Sequence, residues 1–252
     1  MILAGTPAAT QLANAVAERG LTGTVSFAGR VARPKRQPLP QRIGGFGGVA
    51  GLVEYLSAQN VTHVIDATHP FAAQMSRNAV AACAEARVPL LALTRAPWEA
   101  QSGDRWACVP DIAGAVAALG QPAKRVMLAV GRMHLAEFAP HPQHFYLLRL
   151  VDPPSAPPPF PDNHVLVSRG PFSRADDRAL MEQHRIDLVV SKNAGGTGAY
   201  AKIAAARTLG LPVIMIDRPD LPAQQKAHSV QEALDWIGHT GTDPSAGTDR
   251  GV

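Results

Sequence analysis

The 252-residue sequence is short of cysteine, of long apolar runs and, over one stretch, of acidic residues, and each shortage excludes something. Cys83 and Cys108 are its only cysteines, too few for a disulfide framework and without the paired spacing of a zinc site. Both read as ordinary buried or half-buried thiols. No apolar run reaches the roughly 18 to 20 residues that a spanning helix needs. The start, MILAGTPAAT, lacks the basic region of a signal peptide and reads as a strand entering a turn, so the expected location is the cytoplasm. Between Glu18 and Glu54 there is no acidic residue, while Arg30, Arg33, Lys35, Arg36 and Arg42 all fall there, a segment that favours an anion nearby. Those basic residues have no aromatic stacking platform and belong to no recognised module, which argues against nucleic acid as a partner.

What is present fits a globular protein: 46% hydrophobic residues, 17% charged residues and a modest formal charge of +4. Short β-rich runs alternate with alanine-rich helical runs, the pattern of βαβ units and a mostly parallel sheet. The expected fold class is α/β, with two Rossmann-like lobes, mostly parallel sheets and a cleft between them. A first series of elements runs from a strand at 1–4 to the helix AGAVAAL, and a second from RVMLAVG to a last helix near Val230 to Ile237. These give an N-terminal lobe over 1–122, a C-terminal lobe over 123–240 and a flexible tail over 241–252. The proline-rich run at 152–161 reads as a loop within the second lobe.

Several motifs carry polar groups to strand ends. ILAGTPAA is a strand, a tight turn and a helix start, where Gly5 permits close backbone approach; phosphate binding and plain packing suit it equally. The fingerprint G-x-G-x-x-G is absent. At the end of the second strand, where an acidic residue would meet the ribose hydroxyls of NAD, the sequence has Gly29 and Arg30, and an arginine there suits the 2′-phosphate of NADP. GGFGG, at 44–48, either wraps a ligand, with Phe46 against a flat ring, or serves as a plain loop. DATHPFA delivers Asp66, Thr68 and His69 to the carboxyl end of a strand expected to be central, with Pro70 starting the next helix. SKNAGGTGAYAK combines Gly195, Gly196 and Gly198 with the donors Lys192, Asn193, Thr197 and Lys202; without the ending of a Walker loop it reads as a cradle for a dinucleotide or another anion. SRGPF places Arg169 on a further strand rim.

In this order, the glycine-threonine start, AGR, GGFGG, DATHPFA, SRGPF, SKNAGGTGAYAK and IDRP resemble the motif series of the precorrin-6A reductases, from residue 2 to about residue 237. The resemblance implies NADPH-dependent reduction of one double bond in an anionic tetrapyrrole, giving precorrin-6B in cobalamin biosynthesis. It also implies hand-over with other enzymes of that pathway, and no metal. On this reading Gly5, Thr6, Arg30, Lys192, Asn193 and Thr197 are assigned to the cofactor, Asp66 and His69 to catalysis, and Phe46, Thr68, Arg169 and Lys202 to the substrate.

Two other readings compete. A short-chain dehydrogenase is disfavoured because no Tyr-x-x-x-Lys pair is present: Tyr200 is followed by Lys202, and Tyr55 and Tyr146 have no suitably spaced lysine. A nucleotide-sensing or binding module of two α/β lobes would bind NADP(H) without turnover.

Overall fold

In the computed structural model, which describes residues 1–29, 36–168, 170 and 172–240, every strand pairing is parallel. The chain runs β1 (Ile2–Ala4), α1 (Pro7–Glu18), β2 (Val25–Phe27), β3 (Gln41–Ile43), α2 (Val49–Ala58), β4 (Val64–Ala67), α3 (Ala73–Ala86) and β5 (Leu90–Leu93). It continues with β6 (Arg105–Val109), α4 (Ile112–Ala118), β7 (Arg125–Ala129), β8 (Phe145–Leu150), β9 (Asn163–Val167), α5 (Arg174–Gln183), β10 (Leu188–Lys192), α6 (Ala201–Thr208), β11 (Pro212–Ile216), β12 (Gln225–Ala227) and α7 (Val230–Thr240).

Two compact units result, one of Met1–Arg95 with the chain from Asp220 onward, the other of Ala96–Pro219. Each holds a six-stranded sheet, ordered β12-β5-β4-β1-β2-β3 and β6-β11-β10-β7-β8-β9. Counted outward from β1 and from β7, the two orders are the same. They differ only in which strand fills the outermost place beyond β5 or β11: β12 arrives last in the first unit, whereas β6 comes first in the second.

This corrects the expected division at 122/123. The chain leaves the first unit after Arg95, and β6 pairs with β11 of the second, while β12 returns to pair with β5 of the first. A parallel strand's partner is distant in sequence, so nothing local to β6 or β12 announces its sheet. The tail expected over 241–252 lies outside the described residues.

Strand side chains alternate, and both faces of the first sheet are covered. Ile2, Ala4, Ile65 and Ala67 pack with Leu12 of α1 and Leu234 of α7, while Leu3 and Val64 pack with Leu52 and Leu56 of α2 and Ala79 and Cys83 of α3. In α1, Ala9, Leu12, Ala13 and Val16 recur at helical spacing and are buried. In the second unit Met127, Leu147, Val189, Val213 and Met215 form the core beneath Met181 of α5 and Ile203 of α6. The proline-rich run connects β8 to β9 within this unit, and Phe160 at its end is buried with its ring 4.0 Å from that of Tyr146. Among the described residues no helix is long and apolar enough to cross a membrane.

Candidate functional site

In open parallel sheets, crossovers that leave in opposite directions part at one point and open a crevice at the carboxyl ends of the two strands there. In the first unit these strands are β1 and β4, which deliver Gly5–Thr6 and Thr68–His69. In the second they are β7 and β10, which deliver Val130–Gly131 and the glycine-rich loop 193–200.

At the first crevice the two turns touch. A Cβ on Gly5 would lie 3.2 Å from the His69 nitrogen and 3.3 Å from the Thr68 Cα, so only glycine fits without displacing backbone. Thr6 stands at the N-cap of α1, but its hydroxyl donates to the Ala67 carbonyl at 2.9 Å and caps no helix N–H. With Pro7 in the first turn and no acidic side chain there, the start of a twelve-residue helix keeps its positive end for an anion.

Asp66 is buried, and three hydrogen bonds converge on its carboxylate: the Thr68 N–H at 3.0 Å, the Thr68 hydroxyl at 2.6 Å and the Ser76 hydroxyl at 2.6 Å. It thus ties β4 to its own following turn and to the first turn of α3, which begins at Ala73 rather than at Pro70. His69, half-buried, accepts the Phe71 N–H on Nδ1 at 3.2 Å, which leaves the proton of a neutral ring on Nε2. Of the expected catalytic pair, Asp66 therefore holds the turn, and His69 has its Nδ1 engaged within that turn.

Phe46 has protein partners: the Arg42 guanidinium lies 3.8 Å over its ring and Tyr55 meets it edge to face at 5.2 Å. Arg42 also donates to the Ser26 hydroxyl and to the carbonyls of Gly44 and Gly45, so it organises the GGFGG loop; the basic stretch hinted at an anion, not at this. The loop folds back on α2 at Gly51, where a Cβ would fall 1.8 Å from the Phe46 carbonyl oxygen. Arg30, expected at the end of β2, lies outside the described residues, as does Arg169.

The second crevice is built differently. Asn193 is buried, and its side chain holds the backbone of Trp98 at both ends, accepting the Trp98 N–H at 2.7 Å and donating to the Trp98 carbonyl at 2.9 Å. The Trp98 indole N–H donates to the Gly196 carbonyl at 2.6 Å. Arg218 donates to the carbonyls of Asn193 and Ala194, and Lys202 to that of Ala199 at 2.7 Å, with its ammonium 5.0 Å from the Trp98 ring centre. Tyr200 is held by Arg207, which pairs with Asp104. Four loop carbonyls are thus taken by side chains, whereas the N–H groups of residues 195–199 have no acceptor among the described residues.

This corrects two expectations. The Asn193 amide is buried and engages Trp98 through its oxygen and an N–H, and Lys202 is buried behind the loop rather than set on its rim. Burial pushes the Lys202 ammonium down to about 8 from its ordinary range, against the opposing pull of Asp177, which is paired with Arg149. Thr197 is exposed and Lys192 half-buried at the end of β10. Thr68 lies in the first unit, its hydroxyl on Asp66. Beyond the carboxyl ends of β7 and β8 and at that of β9, the apolar side chains Met133, Val151 and Val167 are exposed. Trp98 was missed by sequence reasoning, Arg42 was expected beside an anion, and Arg218 stood only within the IDRP motif; Trp98 sits in irregular chain after β5, with no local pattern to single it out.

Comparison with known proteins agrees with this architecture. The family described as "Precorrin-6x reductase CbiJ/CobK" matches residues 1–238. A precorrin-6A reductase of Rhodobacter capsulatus is 56% identical over 97% of both chains, and one of Sinorhizobium is 45% identical over 95% of this chain and 92% of its own. A solved structure described as CobK precorrin-6A reductase superposes with a TM-score of 0.92 at 55% identity, covering 100% of this chain and 98% of its own. The chain belongs to the precorrin-6x reductase family.

Proposed function

We propose that the chain reduces one double bond of precorrin-6A, giving precorrin-6B in cobalamin biosynthesis, with NADPH held in the first unit and the anionic macrocycle received by the second. The observation that carries the cofactor assignment is the contact of Gly5 with the Thr68–His69 turn beside an uncapped helix start. A turn that leaves no room for a Cβ, next to N–H groups with no acidic neighbour, fits a pyrophosphate. The absence of any acid where β2 ends fits the 2′-phosphate, for which Arg30 is the sequence candidate.

A bound nicotinamide supplies the hydride, and the protein's part is to orient, to exclude water and to deliver a proton. His69, its position fixed by the Phe71 N–H and by the Asp66 turn, offers Nε2–H as a hydrogen-bond donor that orients the water from which the proton is taken. The substrate is polyanionic, and the loop 195–199 presents backbone N–H groups to a carboxylate, with Thr197 and Lys192 beside them. Met133, Val151 and Val167 give the macrocycle an apolar surface on the same edge. This moves Lys192 and Thr197 from the cofactor to the substrate, because they belong to a unit other than that of Gly5. A sensor without turnover has no counterpart among the relatives described above.

Anaerobic mixing with precorrin-6A and NADPH, with NADH in parallel, tests the reading. NADPH is expected to be oxidised at least about tenfold more efficiently than NADH, with Arg30→Ala narrowing the gap. His69→Asn is expected to lower kcat by about a hundredfold or more. Tight NADPH binding without oxidation would contradict the reading.

A further inference from the structure

We infer that Trp98 and Arg218 are positioning residues for the reductase reaction, holding loop 193–200 in the shape that presents its N–H groups to a substrate carboxylate. The inference rests on the reading of that loop as the substrate's anion site. Both residues lie in the two segments where the chain passes between its units, Trp98 just after the passage at Arg95/Ala96 and Arg218 just before that at Pro219/Asp220.

The two hold the loop from behind at successive points. Arg218 takes the carbonyls of Asn193 and Ala194, and the Trp98 indole takes that of Gly196. Gly195 lies between them with φ +69°, and a Cβ there would fall 2.2 Å from an Arg218 nitrogen and 2.3 Å from the Ala96 carbonyl oxygen. Loop and passages are therefore packed without space between them. The opposite side is open, since a Cβ on Gly198 would meet nothing within 4 Å. A peptide whose carbonyl is turned inward and fixed must turn its N–H outward, because the amide is planar. The indole thus sets the direction of the N–H of Thr197, which follows the Gly196 carbonyl in the same peptide, without touching the ligand itself. Asn193 in turn fixes the Trp98 backbone, and Lys202 and Tyr200 pack against the indole ring, so its N–H has one direction.

The test is steady-state kinetics of the whole chain with precorrin-6A and NADPH. Trp98→Phe keeps an aromatic ring for Lys202 and the core but deletes the donor to Gly196. It is expected to raise the KM for precorrin-6A by about five- to tenfold, with the KM for NADPH changed less than about twofold, since one hydrogen bond to an organising carbonyl is at stake. Arg218→Met is expected to do the same, with Arg218→Lys recovering part of the loss. Gly198→Leu, which fills the open side without strain in the fold, tests the loop as a ligand site independently. If Gly198→Leu leaves both KM values unchanged, the loop is not the anion site and the reading beneath the inference fails. If Gly198→Leu raises the precorrin-6A KM while Trp98→Phe and Arg218→Met do not, the positioning role alone is overturned. A loss of thermal stability in Trp98→Phe with the KM split absent would mark the indole as structural only and would also overturn it.

Discussion

The two units reach the same strand order from different starting points in the chain, and their crevices are stiffened by different means. In the first, whose sixth-place strand β12 arrives only after the whole of the second unit, the crevice is held from within: Gly5 packs on the Thr68–His69 turn, which Asp66 ties to its own strand and to Ser76. In the second, whose sixth-place strand β6 precedes the rest, the loop after β10 is held from without, by Trp98 and Arg218 from the two chain passages and by Lys202 from α6. The lesson is that an anion loop needs its carbonyls satisfied as much as its N–H groups exposed, and that the satisfying groups can come from far away in sequence.

The largest expected effect separates Gly195 from Gly198 in the glycine-rich loop. Gly195→Ala forces a Cβ against the Ala96 carbonyl at a positive φ and is expected to cost about 3 kcal/mol of stability, whereas Gly198→Ala, with open space around it, stays within about 0.5 kcal/mol; chemical denaturation midpoints read both. Comparable losses in the two would break the contrast between the packed and open sides of the loop. Next is Asp66→Asn, which removes a charged acceptor from three donors in a buried setting and is expected to cost about 2 kcal/mol, again by denaturation. A smaller change follows from Gly5→Ala, where the neighbouring backbone must give by a few tenths of an ångström: about 1 kcal/mol of stability and about a tenfold rise in the KM for NADPH.

A pH dependence follows from the buried lysine of the second unit. Burial holds the Lys202 ammonium down at about 8 in the folded chain, while in the unfolded chain it titrates at its ordinary value of 10.5. Between these values the unfolded chain binds more protons, so this group adds stability as pH rises from about 8 to 10.5. Cys83 and Tyr146, both raised by burial, act in the opposite sense, Cys83 between 9.0 and about 11 and Tyr146 between 10.0 and about 12. The difference between the parent and Lys202→Met isolates the lysine: relative to the variant, the parent is expected to gain stability over that range, and a flat difference would show Lys202 solvated rather than enclosed.

Much of the fold was legible because α/β strands announce themselves as short apolar runs between alanine-rich helices, as in VTHVIDAT before α3 and IDLVVSK before the glycine loop. The strands β3 and β12, three residues each with exposed positions, carry too little apolar pattern to stand out. Which sheet β6 and β12 join depends on parallel partners distant in sequence, and so the division between units was misplaced. At the sites, residue type pointed to Gly5, His69 and the glycine loop, but the partners of Asn193 and Lys202 lie in tertiary structure. An amide and an ammonium beside three glycines look like ligand donors in sequence, and only the Trp98 backbone and the Ala199 carbonyl show that they face inward.

The central claim, cofactor in the first unit and macrocycle on the loop of the second, is tested most directly by one crossed measurement: KM for NADPH and for precorrin-6A in Gly5→Ala and Gly198→Leu. The account predicts that Gly5→Ala raises the NADPH value alone and Gly198→Leu the precorrin-6A value alone. Both variants raising the same KM, or each raising the other's, would contradict it.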